Sequence, residues 1–223
     1  MKKIGLVLAL LTSLAAHAQP LYRVEIIVFA RDTAEAETEE NWAKQYDLRY
    51  PAQTVVLQPN DGTGASYQLL PDDALQLKRE STAIRQRRNF RVLAHQGWLQ
   101  PLAPPAQAPH VFISGGQQVG AHRELEGTFA VGVEHFLRAD ANLWLSRLPA
   151  AGTIGDFAAT PLPLPPRSEP ATAQTFPVQT VVLNEQRRMR SGELHYFDHP
   201  KMGLLVLVSK QAEAAALTTP SQP

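Results

Sequence analysis

Between residues 125 and 145 the chain reads L-E-G-T-F-A-V-G-V-E-H-F-L-R-A-D-A-N-L-W-L. The odd positions Leu125, Phe129, Val131, Val133, Leu137, Leu143 and Leu145 are apolar, and the even positions carry Glu126, Thr128, Glu134, Arg138, Asp140 and Asn142. A period of two marks a half-buried strand of an antiparallel sheet. At about 3.3 Å per residue an unbroken strand of this length approaches ~70 Å, several times the usual. The stretch therefore predicts strand structure with an internal break, and Gly127, Gly132 and the run Ala139–Asn142 are the candidate points.

Shorter strands are expected on either side, at Tyr22–Phe29, Thr54–Leu57, Phe90–Leu99, Val111–Ser114, Gln179–Met189 and Gly203–Val208. In the first, Tyr22, Val24, Ile26 and Val28 share one face while Ile27 and Phe29 load the other, which implies burial on both sides. One segment has helical spacing: Ala74, Leu77, Ser81, Ile84 and Arg88, with Asp72 as the expected N-cap. Arg85, Arg87 and Arg88 at its end suit the helix dipole. Many strands and one principal amphipathic helix predict an α+β fold with a mainly antiparallel sheet and long Pro-rich loops. A single domain is expected over 19–210, with an irregular, mobile excursion at 149–177, where seven prolines fall, and a frayed tail at 211–223.

The N-terminus has the pattern of an export signal. Lys2 and Lys3 precede an apolar run from Ile4 to Leu14, and Ala16-His17-Ala18 is an A-x-A cleavage site. Residues 1–18 are thus expected to be removed, leaving a chain that starts at Gln19. That apolar run is shorter than a spanning helix needs, and no later one is long enough, so no transmembrane segment is expected. The 223 residues include no cysteine, which excludes disulfides, thiol catalysis and thiolate metal sites. Without Lys2 and Lys3, 19 basic residues face 21 acidic ones, so nucleic acid is not an expected partner. The acids of Asp32–Glu40 read as a solvated loop or short helix with Trp42 as its anchor.

The polar load concentrates in R-R-M-R-S-G-E-L-H-Y-F-D-H-P-K-M-G-L-L-V-L-V, Arg187 to Val208. His195, Asp198 and His199 have the residue types of a metal site, but Gly192 and Pro200 flank a segment that reads as a loop, and a third or fourth ligand is not evident. The alternative is a loop pinned by hydrogen bonds of Asp198. Glu193 with His195 or Asp198 is the nearest approach to an acid/base pair; the chain has no G-x-S-x-G, H-E-x-x-H or phosphate-loop motif.

This block resembles the matching segment of the CsiV family, periplasmic peptidoglycan-binding proteins of Gram-negative bacteria. The likeness extends to L-Y-R-V-E-I-I-V-F-A-R (Leu21–Arg31), to E-E-N-W ending at Trp42, to F-R-V-L-A-H-Q-G-W-L-Q-P (Phe90–Pro101) and to the Leu125–Leu145 stretch, all in order. The chain departs from the family pattern at Glu134-His135-Phe136-Leu137, and no role is carried over to His135. The resemblance implies a periplasmic protein that binds peptidoglycan without cleaving it and supports cell-wall assembly and cell shape. It also implies a link to an outer-membrane activator of a class A penicillin-binding protein. Peptidoglycan offers carboxylates that match arginine forks and sugar faces that match aromatic rings. Arg188, Arg190, His195, Tyr196, Asp198, His199 and Trp144 are the expected contacts. No cofactor and no metal is expected. The competing reading is a periplasmic interaction scaffold that does not touch the glycan.

Overall fold

The computed structural model describes residues 20–32, 47–149, 157–169 and 173–211. The expected signal peptide, the acidic stretch with Trp42, and the tail beyond Gln211 lie outside the described residues. In chain order the elements are β1 (Leu21–Arg31), β2 (Thr54–Val55), α1 (Lys78–Arg85), β3 (Phe90–Pro101), β4 (His110–Val119), β5 (His122–Val133), β6 (Leu137–Arg147), β7 (Gln179–Met189), β8 (Leu194–His199) and β9 (Met202–Lys210). Among the described residues strand accounts for 52% and helix for 8%, which overturns the α+β expectation: the described fold is a two-sheet β fold.

One sheet has the order β3-β1-β9-β8 and the other β2-β4-β5-β6-β7. All pairings are antiparallel except the short β2–β4 contact. Their inner faces share one core, in which Val24, Ile26, Trp98, Ile113, Phe129, Leu143, Phe197 and Val206 are all fully buried. Trp98 meets Phe129 edge to face, with ring centroids 6.3 Å apart. Its Nε1–H donates to Gln100 Oε1 at 2.6 Å, and Gln100 Nε2 donates to the Val131 carbonyl at 3.3 Å, so the polar atoms at the centre are satisfied.

The principal helix is missing for a physical reason. Its expected span is split into a single 3₁₀ turn, Asp72–Ala74, and the eight residues of α1. Between them the Glu25 carboxylate, reaching out from β1, accepts the N–H groups of Gln76 and Leu77, each at 2.8 Å. Leu77, not Asp72, occupies the N-cap position and makes no side-chain cap; the carboxylate from another strand fills the role. The helix lies over the outer face of the four-stranded sheet, where Ile27, Phe29 and Leu77 form a second, smaller core with Ile84 and Phe90. Burial of β1 on both faces is thereby accounted for.

The long alternation belongs to two strands of a hairpin. Val133 opposes Leu137 and Leu125 opposes Leu145 across β5 and β6. Odd residues oppose odd residues, so a three-residue connection, Glu134-His135-Phe136, leaves the apolar phase unchanged. The expected break exists, but it falls at neither glycine nor at Ala139–Asn142. The even face of this sheet is also covered. Tyr50 packs on Phe112 and on Trp144, with centroids 5.5 and 5.1 Å away. The described part of the Pro-rich stretch folds back on itself: Ala158 N–H donates to the Pro177 carbonyl and Leu162 N–H to that of Thr175, at 2.8 and 2.9 Å. Leu162 is buried there.

Candidate functional site

The segment expected to be a loop, Ser191–Met202, contains the strand β8, paired with β9 through a turn at Pro200-Lys201. Alternation along β8 sends His195, Phe197 and His199 to one face and Tyr196 and Asp198 to the other. Phe197 is fully buried in the shared core. Arg187 of β7 bridges the edges of the two sheets: its guanidinium sits 5.0 Å from the Phe197 ring centroid and donates to the Tyr196 carbonyl and to Glu185. Arg188 faces the opposite way, 4.7 Å over the exposed ring of Phe136 and across from Arg138. Arg190 lies in the following turn, 3.5 Å from Glu193, and its N–H donates to His195 Nε2 at 3.1 Å. Trp144 is fully buried under Tyr50, so the even-face position that made it look surface-bound is a covered one. The seven expected contacts therefore do not share one surface.

Tyr196 and Asp198 form a closed arrangement with Arg31 at the end of β1. Arg31 donates to the Tyr196 hydroxyl and, at 2.6 Å, to Asp198 Oδ1; the phenol donates to the same oxygen at 2.7 Å. Tyr196 is stacked on Phe29, nearly parallel at 6.4 Å. The hydrogen bond from Tyr196 and the charge of Arg31 hold the Asp198 carboxyl below its usual range, against the opposing effect of burial. Burial and the Asp198 carboxylate push the Tyr196 phenol up to about 12. Asp198 is 62% exposed, so solvent screens the ion pair. Asp198→Asn is expected to change stability by less than about 1 kcal/mol. An alkaline ultraviolet titration should nevertheless show one tyrosine ionising at lower pH than in the parent protein.

Arg31 also opens onto a cleft of about 520 Å3 at one end of the sandwich. Its charged lining is Arg31, Arg91, Arg147 and Lys201 against Asp32 and Glu124. Arg91 engages both carboxylates, at 2.6 Å from Glu124 and 3.6 Å from Asp32. Glu124 further accepts the Gln117 N–H at 2.9 Å. Arg147 and Lys201 have no ion-pair partner among the described residues. Sequence reading missed this site because its residues come from the ends of β1, β3, β6 and β9, with no local motif to join them.

Among the described residues no cluster of three or more His, Asp or Glu is arranged to hold a metal ion. Nor is any described helix long and apolar enough to cross a membrane. Glu193 and Asp198 are engaged separately, by Arg190 and by Arg31 with Tyr196, and do not face a common point.

Comparison with known proteins gives one extensive match. The family model described as "Peptidoglycan-binding protein, CsiV" matches residues 2–211. Mycothiol acetyltransferase of Thermobifida fusca (strain YX) is 36% identical over 99 residues, which is 43% of this chain and 30% of that protein. The chain thus matches under a third of the acetyltransferase's length. No solved structure matches.

Proposed function

Because the chain belongs to the CsiV family of peptidoglycan-binding proteins, we propose that it is a non-catalytic peptidoglycan binder of the periplasm and acts as an adaptor in wall assembly. The observation that carries the adaptor reading is the placement of two cationic regions. The cleft takes Arg147 from the end of β6, whereas Arg138 and Arg188 with Phe136 lie at the other end of the β6–β7 ladder. Arg138 and Arg147 are nine steps apart along β6, roughly 30 Å at the usual rise. One end is therefore free for the wall while the other meets a protein partner. The partner implied is the outer-membrane activator of a class A penicillin-binding protein.

Non-catalytic binding is supported by the state of the acids. A general acid needs a carboxyl whose pKa is raised toward neutrality. Asp198 is shifted the other way and is committed to Arg31. Incubation of the purified protein with insoluble sacculi should place it in the pellet, with no soluble muropeptides in the supernatant. Release of muropeptides, abolished by Glu193→Gln or Asp198→Asn, would establish a hydrolase instead. Recovery of the protein in the supernatant, with no release, would leave only the scaffold reading.

A further inference from the structure

We propose that the cleft between Arg31, Arg91, Arg147 and Lys201 binds the free carboxylates of uncrosslinked stem peptides, and not the glycan strand, an assignment that rests on the peptidoglycan-binding reading above. Its volume of about 520 Å3 falls within the usual range for a site that takes a small ligand. Charge selects the ligand class. Arg91 engages both carboxylates of the lining and offsets one of their two charges, and Arg31 is paired with Asp198, which leaves Arg147 and Lys201, unpaired among the described residues, to meet an anion. Arg31 is also held in place before any ligand arrives, because Tyr196 and Asp198 fix its terminal nitrogen. A pre-positioned guanidinium loses less freedom when a carboxylate docks.

The rest of the lining favours peptide over sugar. Sugar rings are gripped by stacking on aromatic faces, and the described residues of the lining include no Trp, Tyr or Phe. It offers Val119, Leu145 and Val181 as apolar ground for alanine methyl groups, and Gln117 and Gln179 for peptide amides. A stem peptide that has not been crosslinked ends in a free carboxylate and carries another along its length. Crosslinking removes the terminal carboxylate of the donor peptide, whose last residue leaves as its carbonyl forms an amide with the acceptor's side-chain amine. The cleft would therefore read how much uncrosslinked peptide the wall presents.

Three probes test this on the purified protein: intact sacculi, the peptide-free glycan strands that an amidase releases from them, and a soluble stem tetrapeptide with its carboxylates free or amidated. The free tetrapeptide should bind with an affinity that falls as salt rises, and amidation should weaken it at least tenfold. Arg147→Glu with Lys201→Glu should weaken tetrapeptide binding by a similar factor, while Arg147→Lys with Lys201→Arg retains most of it. Both side chains reach solvent, so an unchanged thermal midpoint should accompany the loss. Binding of the peptide-free glycan strands as tight as that of the tetrapeptide, or full tetrapeptide binding by the charge-reversed variant, would overturn the assignment while leaving wall binding intact. Failure of the parent protein to bind intact sacculi would overturn wall binding itself.

Discussion

Glu25→Leu should destabilise the protein by about 3–5 kcal/mol, because it strips three donors of their acceptor at once. Glu25 is fully buried on β1 and makes three contacts. Its carboxylate accepts the N–H groups of Gln76 and Leu77 and lies 2.9 Å from His95 Nε2. Leucine restores apolar volume but leaves two backbone donors and the imidazole without their acceptor, and such orphaned groups cost about 1–3 kcal/mol each. A thermal midpoint lower by roughly 10 °C is expected for a chain of this size. Burial alone would raise the Glu25 pKa, yet the hydrogen bonds from His95, Gln76 and Leu77 outweigh it and leave the value lowered from 4.5. The sign follows from that direction. A carboxyl with a lower pKa in the folded state contributes fully above its unfolded value and loses its contribution as pH falls through the folded one. The parent protein should thus lose stability below about pH 4.5, and Glu25→Leu should show a flatter acid limb. A midpoint within about 2 °C of the parent would mean that the carboxylate does not hold the helix to the sheet.

Gly127→Val should cost at least ~3 kcal/mol, from backbone strain and overpacking together. Gly127 sits in the middle of β5 with φ +140°, a conformation that a side chain resists. A Cβ there would lie 2.3 Å from the Asn142 carbonyl oxygen and 2.7 Å from Leu143 Cα, both in the backbone of β6. Backbone in a central strand cannot yield as the end of a flexible side chain does. Urea unfolding of Gly127→Ala and Gly127→Val should show a large loss for both, since the first added carbon already clashes. A neutral alanine variant would contradict the close approach of the two strands.

Much of the sheet structure was legible because burial on the pleat imposes a period of two. The expected Gln179–Met189 is β7, and Phe90–Leu99 and Gly203–Val208 each fall within the longer β3 and β9. The β5–β6 turn was hidden by parity, because a connection of three residues keeps apolar positions odd on both sides. The helix was overread because spacing records which side chains face inward but not that a carboxylate 51 residues away interrupts the backbone. The strand β8 reads as a loop in the sequence because Gly192 and Pro200 bracket it; its usable signal is the pair Tyr196 and Phe197 ahead of the turn at Pro200. Trp144 looked like a surface residue because alternation cannot show that Tyr50, about 90 positions earlier, covers the outer face. The cleft was not legible at all. Arg31, Arg91, Arg147 and Lys201 are separated by dozens of residues, and only the pairing of the strands brings their ends together.

In the proposed division of labour the cleft end of the sandwich binds the wall and the Arg138–Arg188 end meets a partner. Co-sedimentation with intact sacculi, run in parallel for the parent protein, Arg147→Glu with Lys201→Glu, and Arg138→Glu with Arg188→Glu, tests that division most directly. The parent and the Arg138/Arg188 variant are expected in the pellet, and the Arg147/Lys201 variant in the supernatant. A parent protein that stays in the supernatant at low salt would contradict the account.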